Sequence, residues 1–132
     1  MSDIGDYMTE KPVSVPVDAT IEEAAQAMQL HNIGSLLIKD GEEFVGIVTH
    51  TDFSRKVIAK GMDDSDATPV SEIMTSPLHA MDRYSTIEEA NAFMRKHKIG
   101  HLGVTDDDKI VGILSISNLL NYFTQRVFRM SE

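Results

Sequence analysis

The sequence predicts an α/β fold (α+β in its layering): two β-α-β-β-α repeats related by a pseudo-two-fold axis, with small mixed sheets covered by helices. Three observations carry this. A block containing Met8-Thr9, Thr20-Ile21-Glu22-Glu23-Ala24, Met28, His31, Ile33-Gly34, Leu36 and Val45-Gly46-Ile47 recurs 66 residues later, from Met74-Thr75 to Val111-Gly112-Ile113. One register held over so many separated positions marks two copies of one supersecondary unit. Each copy has a helical run opened by Thr-x-x-Glu, and each continues into two apolar runs split by a turn signal.

Taken in order, short strands are expected at Val13 to Val15 and at His79 to Met81. Thr20 to His31 carries apolar residues at Ile21, Ala24, Ala25 and Met28, a helical period behind the capping pattern Thr20-x-x-Glu23, and Thr86-x-x-Glu89 opens its twin. Both helices run into His-x-Ile-Gly, where Gly34 and Gly100 are expected to take the left-handed conformation. Leu36 to Ile38 and Phe44 to Val48 flank Asp40-Gly41, while Leu102 to Val104 and Ile110 to Leu114 flank Asp106-Asp107-Asp108. Both read as hairpins. Closing helices are expected over Asp52 to Ala59 and Asn118 to Met130, the second with an apolar stripe of Leu119, Leu120, Phe123, Val127 and Phe128. The organisation is residues 6–60 for repeat 1, 61–69 for a linker and 70–128 for repeat 2. A chain of 132 residues is short for two cores of ordinary size, so a shared core is expected.

Composition narrows the function. The chain has no cysteine, which removes disulfides and thiolate chemistry and fits a reducing compartment. The start is polar and no apolar run approaches the ~20 residues of a membrane span, so a cytoplasmic address and no membrane insertion are expected. A net charge of −9 argues against nucleic acid, which needs a basic face. Asp63, Asp64 and Asp66 read as a solvated linker. His31 and His97 read as helix-end residues rather than metal ligands, Gly100 breaks the helical spacing of His97 and His101, and no catalytic constellation can be nominated. The eight methionines read as packing or linker residues. The expectation is of no enzyme, no metal and no required cofactor.

Chemistry concentrates where the second hairpin strand meets the closing helix. Gly46 to Asp52 ends a strand in small hydroxyl residues and starts a helix at an acid, so freed N–H groups, the helix dipole and the Thr49 and Thr51 hydroxyls can meet phosphate oxygens. Asp52 can accept from a ribose diol, or Thr51 or Asp52 can simply cap the helix. The repeat 2 counterpart runs from Gly112 to Asn118.

The Met-Thr openings, the Thr-Ile-Glu-Glu-Ala helix starts, the His-x-Ile-Gly turns and above all Gly46-Ile47-Val48-Thr49-His50-Thr51-Asp52 and its counterpart Gly112-Ile113-Leu114-Ser115-Ile116-Ser117-Asn118 resemble a tandem pair of cystathionine-beta-synthase (CBS) domains. The resemblance spans about Asp6 to Thr124 and implies a regulatory module binding adenosine-containing ligands (AMP, ADP, ATP or S-adenosylmethionine) in two clefts between the repeats. It further implies a homodimer and a separate, unknown regulated protein; the alternative is an interaction module with vestigial clefts. One cleft would combine Ile47, Thr49, Thr51 and Asp52 with Thr75, Leu78, Ala80, Ile99 and Gly100. The other would combine Ile113, Ser115, Ser117 and Asn118 with Thr9, Pro12, Ser14, Ile33 and Gly34. Asn118 stands where the family usually has Asp, so the Asp52 cleft is expected to bind more tightly, and Asp52→Ala to remove that binding without loss of fold. His101 stands where family members often carry a basic phosphate contact, and could favour phosphate in the Asn118 cleft. Pro77 is displaced by one place from Pro12, so the two linkers are expected to differ.

Overall fold

In the computed structural model, which describes residues 2–131, the leading segment of each repeat has changed places. One compact unit holds Val13 to Leu78; the other holds His79 onward together with Pro12 and the residues before it. The units therefore divide the chain at other points than the repeats do. Each repeat's helix and hairpin are completed by the arm that leads into the other repeat.

In the Val13–Leu78 unit, β2 (Ser14–Pro16) lies parallel to β3 (Ser35–Asp40), which pairs antiparallel with β4 (Glu43–Thr49). Between them, α1 (Ile21–His31) opens with a complete capping box, Thr20 Oγ1 accepting from Glu23 N at 3.0 Å and Glu23 Oε1 accepting from Thr20 N at 2.9 Å. Ile21, Ala24 and Met28 form its buried stripe and pack with Leu36, Ile38 and Val48. The arm before repeat 2 adds Val70 and Ile73 to this cluster and bridges β4 at Ile47–Thr75. The other unit repeats the plan with β5 (Ala80–Asp82), α3 (Ile87–His97), β6 (His101–Asp106), β7 (Lys109–Ser115) and α4 (Ile116–Ser131). Its arm supplies Ile4 to the core and a two-residue strand, β1 (Thr9–Glu10), antiparallel to β7.

Two apolar clusters thus form where chain length predicts one shared core. The arms explain the difference, because each brings buried aliphatic residues that the ~60-residue repeat lacks. The left-handed residues after α1 and α3 are Asn32 (φ 52°) and Lys98 (φ 55°), not Gly34 and Gly100. The helices end at the histidines and the next residue is the left-handed cap, so the reversal begins before the glycines are reached. The hairpins turn differently: Gly41 alone has a positive φ in the first, while Asp107 and Asp108 both do in the second. The linkers differ too, since Ser76–Pro77 is cis and Lys11, before Pro12, has φ 51°.

The closing helices start two residues earlier than expected and are unlike one another. α2 (His50–Asp52) gives way to a wider-pitch π segment, Phe53–Ile58, with Ala59 N donating to Ser54 O at 2.9 Å. On α4 the expected stripe divides. Leu119 is buried and Phe123 half-buried, with Tyr122 completing the core contact, whereas Ile116, Leu120, Val127 and Phe128 are exposed.

Candidate functional site

Two strand-to-helix junctions, one in each unit, carry the polar residues singled out by the sequence. At the β4–α2 junction Asp52 is only 5 % exposed, and its carboxylate is the hub of the site. Oδ2 accepts from Thr49 N at 2.9 Å and from Thr49 Oγ1 at 3.4 Å. Oδ1 accepts from Thr75 Oγ1 at 3.0 Å and pairs with Lys56 Nζ at 2.9 Å. Lys56 Nζ also donates to Ile73 O at 2.9 Å, so the closing helix holds the arm at two points, Asp52 on Thr75 and Lys56 on Ile73. The arm is further tied by Ile47 N to Thr75 O at 3.0 Å and Thr75 N to Ile47 O at 2.8 Å. Gly46 permits this approach, because a Cβ there would lie 2.8 Å from Met74 Sδ and 2.9 Å from Thr75 O.

The β7–α4 junction is built on the same frame with different chemistry. Asn118 Oδ1 accepts from Ser115 N at 2.8 Å and Ser115 Oγ at 3.0 Å, and Asn118 N donates to Ser115 Oγ at 3.3 Å. Asn118 Nδ2 makes no hydrogen bond among the described residues, leaving amide donors unspent. Thr9 lies opposite Ile113, as Thr75 lies opposite Ile47. Tyr122 occupies the place of Lys56; its hydroxyl donates to Glu88 Oε1 at 3.0 Å and its ring meets Tyr7 edge-on at 5.2 Å.

Of the expected ligand residues, Ile47, Thr49, Asp52 and Thr75 come together in the Val13–Leu78 unit. Thr51 is exposed one residue before Asp52, and Leu78 ends that unit. Ser14 begins β2, while Ile33 and Gly34 line an open cavity of about 570 Å³ with Met28, His50 and Phe53. In the other unit Thr9, Ile113, Ser115 and Asn118 come together, with Ser117 exposed on the first turn of α4 and Pro12 ending the arm. There His101 lies across the strand pair from Ser115, beside the Asn118 junction; Ala80 stands in β5 opposite Gly103, and Ile99 and Gly100 precede β6. Lys56 is absent from the sequence-derived site. Its four-residue spacing from Asp52 on a helix was the available signal.

No group of three or more metal-ligating side chains occurs among the described residues. His97 stacks on Phe93 at 4.2 Å and lies 5.1 Å from His79, ring centre to ring centre. Asp63, Asp64 and Asp66 are exposed. No helix of the described residues is long and apolar enough to cross a membrane.

Two mixed sheets, each covered by helices and completed by an exchanged arm, with a capped strand-to-helix junction in each, define a tandem pair of one α/β unit. Residues 4–59 and 70–125 each match the CBS domain, and the chain belongs to that family. It is 33 % identical over 119 residues to the CBS domain-containing protein YhcV of Bacillus subtilis, covering 90 % of this chain and 84 % of that protein. A conserved protein from Pyrococcus horikoshii of known structure is 32 % identical, with a TM-score of 0.84 and coverage of 92 % and 91 %. The CBS domain pair of MJ0100, solved in complex with 5′-methylthioadenosine and S-adenosylmethionine, is 26 % identical with a TM-score of 0.85 and coverage of 96 % and 98 %.

Proposed function

We propose that this protein is a non-catalytic sensor of adenosine-containing small molecules (AMP, ADP, ATP or S-adenosylmethionine) that signals ligand occupancy to a separate protein. The observation carrying the reading is the duplicated junction. In both units a capped helix start and two hydroxyl residues adjoin an exposed first turn, and an arm threonine pairs with the strand that leads into it, within a fold whose relative MJ0100 holds two adenosine derivatives. Helix starts of this kind suit phosphate or carboxylate, and flanking hydroxyls suit a sugar. No cofactor is required by this reading. Its place is the cytoplasm, supported by a cysteine-free composition.

A ligand that binds one conformation better than another shifts their populations by its differential affinity. The arms are the natural carriers of such a shift, since each belongs to one unit and leads into the other repeat. Exposed Ile116, Leu120 and Phe128 favour a second element of the reading, a homodimer that covers this face of α4. If ligands do not bind, that face supports an interaction module instead.

The test is titration with AMP, ADP, ATP and S-adenosylmethionine, read by melting temperature and calorimetry. At ligand one hundred times Kd, stabilisation of about 2.7 kcal/mol is expected. Absence of binding by all four would remove the sensor reading.

A further inference from the structure

Counting acceptor positions at Asp52 leads to a specific consequence. A carboxylate offers about four hydrogen-bond acceptor positions. All four are taken: by Thr49 N, Thr49 Oγ1, Thr75 Oγ1 and Lys56 Nζ. A ligand diol can reach this buried group only by exchange with a present partner. Thr49 N is part of the helix start, and Thr75 is held by its two backbone bonds to Ile47. Rotation of the Thr49 hydroxyl, the longest contact at 3.4 Å, frees one acceptor position, but a diol needs two, and the second falls to Lys56, which can leave Asp52 while keeping its bond to Ile73 O because its ammonium sits on a long stem and its side chain is 37 % exposed.

We propose that Lys56 is a specificity-determining residue of the Asp52 junction, a resident cation that admits phosphorylated nucleosides in preference to the neutral nucleoside. The inference rests on the sensor reading above and deepens it. A neutral nucleoside that takes Lys56's position on Asp52 leaves the ammonium without its counter-ion. A nucleotide does not, because its phosphate offers the displaced ammonium a new anion. The Asn118 junction differs at the matching position. Tyr122 stands in place of Lys56 and is committed to Glu88, so that junction accepts either ligand without displacing a cation.

The experiment compares AMP with adenosine on the full chain by calorimetry, with the backbone amides of Thr49 and Ser115 followed by NMR to separate the junctions. At the Asp52 junction the wild type should prefer AMP by about tenfold or more. Lys56→Met should tighten adenosine and weaken AMP, reducing the preference to about threefold or less, while Lys56→Arg should retain it. Tightening of adenosine distinguishes displacement from simple phosphate contact, which would only weaken AMP. Raising salt from about 0.05 to 0.5 M should strengthen adenosine binding to the wild type and weaken AMP binding. This measurement needs no variant and stands even if Lys56→Met does not fold. An unchanged AMP preference in Lys56→Met, or salt moving both ligands in the same direction, overturns the inference and leaves the sensor reading intact. A wild type that binds neither ligand overturns both.

Discussion

Replacing Asp52 should cost stability, and the amount follows from its four partners. Asp52→Ala removes the acceptor for Thr49 N at the start of α2, worth about 1 kcal/mol for a helix cap. It removes the charge-assisted bond from Thr75 Oγ1, about 1.5–3 kcal/mol at a buried carboxylate. The Lys56 pair adds ~0–1 kcal/mol, because its ammonium reaches solvent and is screened. The loss should be about 3 kcal/mol, more than the loss of a helix cap alone. Asp52→Asn is the better probe. It can keep the Thr49 N bond, as Asn118 does with Ser115 N, and should cost about 1–2 kcal/mol, mainly because the Thr75 bond loses its charge assistance. Urea denaturation of the three proteins, with midpoint and slope fitted together, gives the comparison. Asp52→Ala lying within about 0.5 kcal/mol of wild type, or Asp52→Asn proving as damaging as Asp52→Ala, would refute the hub argument.

Three further outcomes are expected. Gly46→Ala and Gly112→Ala should each destabilise by about 2–3 kcal/mol, because the new methyl would meet the Thr75 or Thr9 carbonyl at 2.9 or 2.8 Å and push an arm off its strand; thermal melts of both variants check this. Bonds from the Thr20 and Thr86 backbones hold the Glu23 and Glu89 carboxyls below their ordinary value of 4.5. The capping boxes thus add stability above that value that is lost as pH falls through the lower folded-state values, and the melting gap between wild type and Glu23→Gln/Glu89→Gln should close in acid. Leu120→Glu with Phe128→Glu should convert a dimer of about 29 kDa, twice 14.6 kDa, into a monomer by sedimentation; a wild type already monomeric at micromolar concentration removes the dimer.

What the sequence could reveal was what local chemistry determines. Thr20-x-x-Glu23 and Thr86-x-x-Glu89 became capping boxes at the expected residues, because a cap needs only neighbours three positions apart. Hairpins followed from turn residues between apolar runs. The exchange of arms was not legible, since nothing local distinguishes an arm that returns to its own repeat from one that completes the other. The same holds for Lys56: four-residue spacing hints at Asp52, but the Ile73 carbonyl that fixes its position lies 17 residues away. Asp52 itself was read as either cap or ligand contact. The structure shows the capping bond, and its saturated carboxylate changes what the ligand reading requires.

The two units part company in matched pairs of residues. Lys56 meets the carbonyl of Ile73 in one unit, while their counterparts Tyr122 and Tyr7 stack edge-on in the other. Helix and arm have therefore changed together, and the pairing is between residues that share a unit rather than a repeat. An arm held by the carbonyl of Ile73 on an ammonium that is itself ion-paired responds to salt and to competing anions, whereas an arm anchored through two aromatic rings does not. Introducing Tyr at position 56 alone would strip Asp52 of its cation and set a ring against Ile73. Making the change at Ile73 as well supplies the missing partner, so the double variant should recover stability that Lys56→Tyr loses. A double-mutant cycle on Lys56→Tyr and Ile73→Tyr should give a favourable coupling of about 0.5–1.5 kcal/mol, the range of an aromatic pair. Zero coupling would mean that the arms are held by their backbone bridges alone, and that the difference between the two anchors has no energetic consequence.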